Sequence, residues 1–268
     1  KFEFDWLDEI INILGENGIY SVLCTPTAAP PVWMSVKYPE ILYRNPDGSM
    51  QGYDGRRFTC YNSPKYREKC EIIVRKLAER YGRNPYVIGF QVDNEFAQEE
   101  NGRCTCDICK EKFRAFLRNK YSSIDELNEL WGTIFWGQKY SSFDEIIPPK
   151  TLIGVNPTED PVHYLGVDSP SLRLDFERFC SDSMISLFEL QKKILQQYSD
   201  KPVTHNSTGI GRNQVDFGKL FTDADVVGVD HYPSARSLDK TKSSITYSFA
   251  RCLKDKPFWL LETLCGGG

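Results

Sequence analysis

The sequence predicts an α/β fold with a parallel sheet, of a size that suits one (β/α)8 barrel. Three observations lead there. Short apolar runs alternate with helical patterns along the chain. The run over 86–92 (YVIGFQV) is almost wholly apolar, as in a strand buried on both faces. Several runs stop abruptly in polar residues, and the carboxyl ends of parallel strands are where such barrels place their chemistry. With 268 residues, 40% of them hydrophobic, and with 16 Phe and 14 Tyr, the chain can fill one large core.

Taken in order, Leu7, Ile10, Ile11 and Leu14 fall at helical spacing, and Asn17-Gly18 supplies a stop. Residues 19–25 (IYSVLCT) read as a buried strand. The stretch 26–64, rich in Pro, Gly, Tyr and Trp, is too long for an ordinary connection, and loops of that length are usually functional. A helix over 65–81 turns Cys70, Ile73, Val74 and Leu77 inward, and the strand leading to Asp93-Asn94-Glu95 follows. Next come a Cys-rich insertion at 101–109, a helix carrying Phe113, Phe116 and Leu117, and a helical turn or two at 124–131. The proline-rich stretch 141–170 reads as a surface loop. A long amphipathic helix over 172–198 precedes three more strands at 202–206, 224–230 and 257–262, which are separated by helical pieces near 216–221 and 245–253.

Composition excludes some functions. A net charge of -4 without any basic run argues against nucleic acid as a partner. No apolar stretch nears the ~20 residues of a membrane span. The chain opens at Lys1 inside a helical pattern, so it is expected to be part of a longer protein.

Two residues carry the expected chemistry. Glu95 closes one apolar run and Glu262 closes another, FWLLE, so both would project into the same barrel mouth. Glycoside hydrolysis needs such a pair, one carboxyl protonating the leaving oxygen while the other attacks or activates water. Asp93 is expected to support the strand end. His205 and His231, also at strand ends, fit neighbours' orienting groups better than metal ligands, and His163 lies in the loop. Trp33, Trp136 and Tyr232 fall where aromatic rings stack on sugars or pack. The spacing C-x-C-x2-C at Cys104, Cys106 and Cys109 suits a tetrahedral zinc site short of one ligand, with Cys60, Cys24 or a histidine as the fourth. Cys24, Cys70, Cys180 and Cys252 read as small core residues.

Six stretches, TPTAAPPVWM (25–34), RRFTCYNSPKYR (56–67), GFQVDNE (89–95), CTCDIC (104–109), ELWGTIFW (129–136) and EIIPP (145–149), together resemble glycoside hydrolase family 42, the β-galactosidases of bacteria and archaea. The resemblance runs over nearly the whole chain. It implies a TIM barrel of which about five of eight strands are present, the first two and the last being missing. It also implies one partial catalytic domain over 1–268 with a zinc-binding insertion near 101–109. By the same resemblance Glu95 is the general acid/base, Glu262 the nucleophile, and Asn94 a partner of the sugar 2-OH. Trp136 and Tyr232 line the galactose site, and Cys60 joins Cys104, Cys106 and Cys109 around a structural zinc. A β-galactoside or oligosaccharide is the implied substrate, with a homotrimeric full-length enzyme in the cytoplasm. Around the nucleophile the family often has Met-Glu-Gln, where this chain has Leu261-Glu262-Thr263. The expected function is therefore retaining exo-β-galactosidase, with this polypeptide alone weakly active or inactive. The rivals are a related glycosidase acting on arabinosides, fucosides or xylosides, and a zinc-stabilised protein that binds carbohydrate without cleaving it.

Overall fold

The computed structural model describes residues 2–53, 55–96, 102–149, 169–207, 215–233 and 240–264. The chain forms two compact units, Lys1–Pro30 with Arg67–Glu99 and Met184–Gly268, and Pro31–Tyr66 with Glu100–Ser183.

The first unit holds the sheet. Its strands are β1 (Ser21–Cys24), β2 (Val87–Gln91), β3 (Val203–Thr204), β4 (Asn206–Ser207), β5 (Gly228–Asp230) and β6 (Trp259–Glu262). They pair as β1-β2-β3 and β4-β5-β6, and every pairing is parallel. Only His205 separates β3 from β4, so five strand positions follow one another in chain order. That is the order of consecutive strands in a (β/α)8 barrel, and the five expected strands are all found. β2 is shorter than its apolar run because its pairing stops before the polar end, whereas β5 and β6 pair through Asp230 and Glu262. In β2 the ladder closes at Gln91, and Val92 N–H makes one further bond to Thr204 O at 2.8 Å.

Two glycines let the strands close up. A Cβ on Gly89 of β2 would lie 2.6 Å from the Trp259 ring, and one on Gly228 would lie 2.4 Å from His205 O. Glycine inside a strand forfeits packing, so it is retained where another group must come close. Helices α1 (Asp5–Glu16), α7 (Phe217–Asp223) and α8 (Lys240–Lys254) belong to the same unit. The predicted stop after α1 is present, with Gly18 at φ +77° beyond the Asn17 cap. Ile11 is buried as expected, but Ile10 is exposed. Among the described residues no helix is long and apolar enough to cross a membrane.

The second unit contains α2 (Val32–Lys37), α4 (Asp107–Lys120) and α5 (Ile124–Trp131). Helices α3 (Pro64–Tyr81) and α6 (Pro170–Leu195) each contribute one end to it. Its core gathers Tyr43, Phe113, Leu117, Leu127, Trp131, Phe176 and Phe179, with Phe113 edge-on to Phe176 at 5.2 Å. Ile146 is buried in this core, so the stretch expected to be a surface loop is anchored there, by Arg114 Nε donating to Ile146 O at 2.9 Å as well. Residues 150–168, with His163, lie outside the described residues.

One buried carboxylate ties α4, α5 and α6 together. Asp175 accepts from Tyr121 Oη at 2.5 Å, Trp131 Nε1 at 3.2 Å and Arg178 Nη1 at 3.0 Å, and also from Lys120. Burial would push its pKa up, but the bonds from Lys120, Tyr121 and Arg178 prevail and hold it below the usual 3.8. A depressed folded pKa stabilises the fold above 3.8, and that contribution is lost as pH falls through the lower value. Asp175→Ala is accordingly expected to cost about 2–4 kcal/mol near neutrality, because donors lose their acceptor inside the core. In urea unfolding the deficit should shrink as the pH approaches 2; an equal deficit at every pH would contradict this account.

Cys70 and Cys180 are buried, as expected of small core residues. Cys24 and Cys252 are exposed instead, contrary to that expectation. Cys24 ends β1 at the polar mouth of the sheet, and Cys252 takes an exposed position on α8. Helical or strand period alone did not say which face was covered.

Candidate active site

The carboxyl ends of the parallel strands bring Glu95, Asp230 and Glu262 together. One carboxyl oxygen of each lies within 4.8 Å of the other two. Glu95 and Asp230 are buried and Glu262 half-buried. Glu262 is the last residue of β6, Asp230 the last of β5, and Glu95 stands in the turn beyond β2.

That turn is unusual. Asp93 and Glu95 both take positive φ, +53° and +43°, without being glycine. Such backbone costs about 1–3 kcal/mol per residue and persists only where surroundings over-determine it. Here they do. Asp93 N–H donates to Thr25 Oγ1 at 2.7 Å, Asn94 N–H donates to Asp93 Oδ1 at 2.7 Å, and Thr27 Oγ1 donates to Asp93 Oδ2. Gln91 Nε2 donates to Asp93 O at 2.9 Å. Glu95 N–H donates to Asn206 Oδ1 at 2.8 Å. Phe96 N–H donates to His205 Nε2 at 3.0 Å, and the Phe96 ring stacks on the imidazole with centroids 4.3 Å apart. The other ring nitrogen of His205 lies 2.8 Å from Val92 O. Because Nε2 accepts, Nδ1 carries the hydrogen and donates to that carbonyl. His205 therefore orients the Glu95 turn, as expected of it, and Asp93 supports the strand end by hydrogen bonding.

Asn206 is the hub of the site. Its Nδ2 lies 2.7 Å from Asp230 Oδ2, 3.0 Å from Glu262 Oε1 and 3.0 Å from Asn94 Oδ1. Tyr232 Oη donates to the other Glu262 oxygen, Oε2. That bond holds the phenol proton well above its ordinary range, so Tyr232 serves as a donor. Burial, with Glu262 and Glu95 close by, raises the pKa of Asp230 to about 8 in spite of the Asn206 bond. Asn94 also sits beside Glu95, its Nδ2 3.5 Å from Glu95 Oε2.

Most of the expected residues thus gather here: Glu95, Glu262, Asn94 and Tyr232. Trp136 belongs to the second unit, in the 3-10 turn Phe135–Gly137, and its side chain lies outside the described part. Trp33 is exposed on α2. Asp230 and Asn206 were missed by sequence reasoning. Their signal was available, since each ends an apolar run, but the runs VTHN and VDHY were read for their histidines and tyrosine.

A second cluster lies in the second unit. The sulfurs of Cys60, Cys104, Cys106 and Cys109 are all within 4.8 Å of one another, with Cys60 to Cys106 at 3.7 Å and Cys60 to Cys109 at 3.4 Å. Four sulfurs about 2.3 Å from one tetrahedral metal would be separated by roughly 3.8 Å, so the set fits a metal. N–H donors already face the sulfurs, from Arg44 N to Cys104 at 3.4 Å and from Asn62 Nδ2 to Cys109 at 3.5 Å. Such outer contacts orient ligands and favour the thiolate. This cluster can hold a metal ion.

Comparison with known proteins agrees with this geometry. The family model described as β-galactosidase, glycoside hydrolase family 42, matches residues 1–267. The β-galactosidase BgaH of Haloferax lucentense is 38% identical over 97% of this chain and 40% of its own length. A Thermus thermophilus β-galactosidase is 42% identical over 87% of this chain and 34% of its own. The solved β-galactosidase of the haloarchaeon Halorubrum lacusprofundi superposes with a TM-score of 0.87 at 37% identity, covering 98% of this chain and 40% of that one. The chain spans about 34–40% of the length of these relatives, and over that span its strands form part of their TIM barrel. With the family model matched from end to end and three carboxyl groups at the strand ends, the chain belongs to glycoside hydrolase family 42.

Proposed function

We propose that this chain is the catalytic part of an enzyme that hydrolyses terminal non-reducing β-D-galactose residues with retention of configuration. The observation that carries the reading is the approach of Glu95 and Glu262, whose carboxyl oxygens come within 4.8 Å. Retaining glycosidases hold the two groups about 5–5.5 Å apart, whereas inverting ones need about 6.5–9.5 Å to admit a water.

In this mechanism Glu262 is the nucleophile. Its carboxylate oxygen bonds to the anomeric carbon while the bond to the glycosidic oxygen breaks, and Glu95 gives its proton to that oxygen as the aglycone leaves. A water then attacks the anomeric carbon, Glu95 takes the water's proton, and the ester bond to Glu262 breaks. The donors on Glu262 support its anionic role, since Tyr232 and Asn206 address separate oxygens. They also fix the carboxylate plane. Asn94 is assigned to the sugar 2-OH, a contact that strengthens in the transition state. Trp136 is assigned to the wall of the galactose site. The four cysteines are assigned to zinc, which would supply no chemistry to the reaction because four protein ligands leave no open position. For the longer protein the family reading further gives a homotrimer in the cytoplasm, and it treats residues 1–268 as one partial barrel domain.

The test is turnover of a chromogenic β-galactoside beside the matching arabinoside, fucoside and xyloside. A protein that carries this chain within the length of its relatives should favour the galactoside and release the β-anomer first. Initial release of the α-anomer would overturn retention, and preference for another sugar would overturn the substrate. The 268 residues alone are expected to turn over far more slowly, because β1 and β6 each have one strand partner among the described residues and the sugar pocket draws on a whole barrel.

A further inference from the structure

Asp230 has no part in the two-carboxylate mechanism, yet it is the most confined of the three carboxyl groups. It is 5% exposed, and its Oδ1 is buried without a hydrogen-bond partner among the described residues. Its Oδ2 takes the shortest of the three contacts at Asn206 Nδ2, 2.7 Å against 3.0 Å to Glu262 and 3.0 Å to Asn94. An amide nitrogen has two hydrogens, so three acceptors cannot all be served at once. Asn206 cannot turn its amide over either, because its Oδ1 already accepts from Glu95 N–H at 2.8 Å. A third full negative charge here would meet Glu262 from β6 and Glu95 from the turn after β2. Among the described residues, the Cys24 thiol at the end of β1 and the Tyr232 hydroxyl on its own segment also interact with it. None of these four is a cation.

We propose that Asp230 is a positioning residue held as the neutral acid in the working site, and that its proton decides how Asn206 divides two N–H groups among three acceptors. With Asp230 neutral, Oδ2 is a weak acceptor and Asn206 serves Glu262 and Asn94, the first aligning the nucleophile and the second the sugar-binding amide. When Asp230 loses its proton, the carboxylate draws an N–H away from them and adds a charge beside Glu262. Burial and the neighbouring carboxylates favour the protonated form in the same direction, to a pKa of about 8. The idea rests on the glycosidase reading for its effect on catalysis, but the proton itself can be tested without any substrate.

The experiment compares the wild type with Asp230→Asn, which keeps the shape and cannot ionise, in the protein of full length. The first measurement is the melting temperature from pH 4 to pH 8. A folded pKa raised from 3.8 to about 8 means that folding takes up a proton in this window, so the wild type loses stability as pH rises while the variant is spared that loss. The difference, variant minus wild type, should therefore grow steadily with pH. A difference that is constant from pH 4 to pH 8 overturns the proposal. The second measurement is kcat/KM for a β-galactoside. The ratio of variant to wild type should rise about tenfold from pH 7 to pH 9, as the wild type ionises and the variant does not. A ratio independent of pH shows a purely structural residue and overturns the positioning role. If neither protein cleaves a galactoside, the glycosidase reading fails, while the melting series still decides whether Asp230 holds a proton. Should Asp230→Asn not fold, Asp230→Ser, equally unable to ionise, takes its place in both measurements.

Discussion

Replacing Glu262 by Ala is expected to lower kcat for a β-galactoside by at least about 10⁴-fold, the scale on which loss of a nucleophile or its activating partner is felt. The reason is local. Glu262 lies within 4.8 Å of Glu95 and takes hydrogen bonds on both oxygens, from Asn206 and Tyr232. Asp230 is set deeper, and its Oδ2 also draws on Asn206. The vacated space in Glu262→Ala should admit a small anion such as azide or formate, which attacks from the nucleophile's side and restores turnover with a product of inverted configuration. Glu95→Ala should behave differently. It removes the proton donor, so aglycones that leave readily as anions should still be released in the first step, while poor leaving groups should slow by about 10²–10⁴-fold. Product anomers followed by NMR, with rates across a series of aryl galactosides, would separate the two roles. If Glu262→Ala kept turnover of substrates with good leaving groups and Glu95→Ala were instead the variant rescued by anions with inversion, the assignments would have to be exchanged.

The second large effect concerns the four cysteines. One zinc per chain is expected, and replacing Cys106 by Ser or stripping the metal with a chelator should lower the melting temperature by about 10 °C or more. The estimate follows from a loss of roughly 3–5 kcal/mol at about 2–4 °C per kcal/mol for a body of this size, with structural zinc sites able to supply more than that. Cys60 lies in the long loop after β1, whereas the other three lie at the start of α4, so a metal there would close two distant segments of the second unit on each other. The surrounding backbone already joins them, with Thr105 N–H donating to Arg44 O at 3.0 Å. Catalysis in the folded protein should change little, since the cysteines belong to a different unit from the carboxyl cluster. Metal analysis of protein purified under reducing conditions is the direct check. A chain that carries no zinc and melts unchanged as Cys106→Ser would remove the metal from the account.

Much of this protein was legible in order of residues. Alternation of apolar runs and helical periods marked all five strand positions, because a strand buried in a parallel sheet has to be apolar along its length and a covering helix has to be apolar on one stripe. The polar endings of those runs marked the end of the sheet where the carboxyl groups of Glu95 and Glu262 gather. Spacing marked Cys104, Cys106 and Cys109, since three thiols within six residues have few other uses. From the residues alone the fourth ligand stayed open among Cys60, Cys24 and a histidine; the fold brings the Cys60 sulfur 3.4 Å from Cys109, and places Cys24 at the exposed end of β1.

What the tertiary structure alone decided is how these groups share protons. The positive φ of Asp93 and Glu95 had no glycine to announce it, because it is imposed from outside by Thr25, Thr27, His205 and Asn206. Asp230 and Asn206 ended apolar runs just as Glu95 and Glu262 did, and their place in the sequence could not distinguish a reacting carboxyl from a positioning one. Period and spacing report which face and which end a side chain occupies, for they follow from the geometry of a single strand or helix. Which acceptor receives the two hydrogens of Asn206 depends on distances of 2.7 and 3.0 Å to residues on other strands, and only closing the sheet sets those.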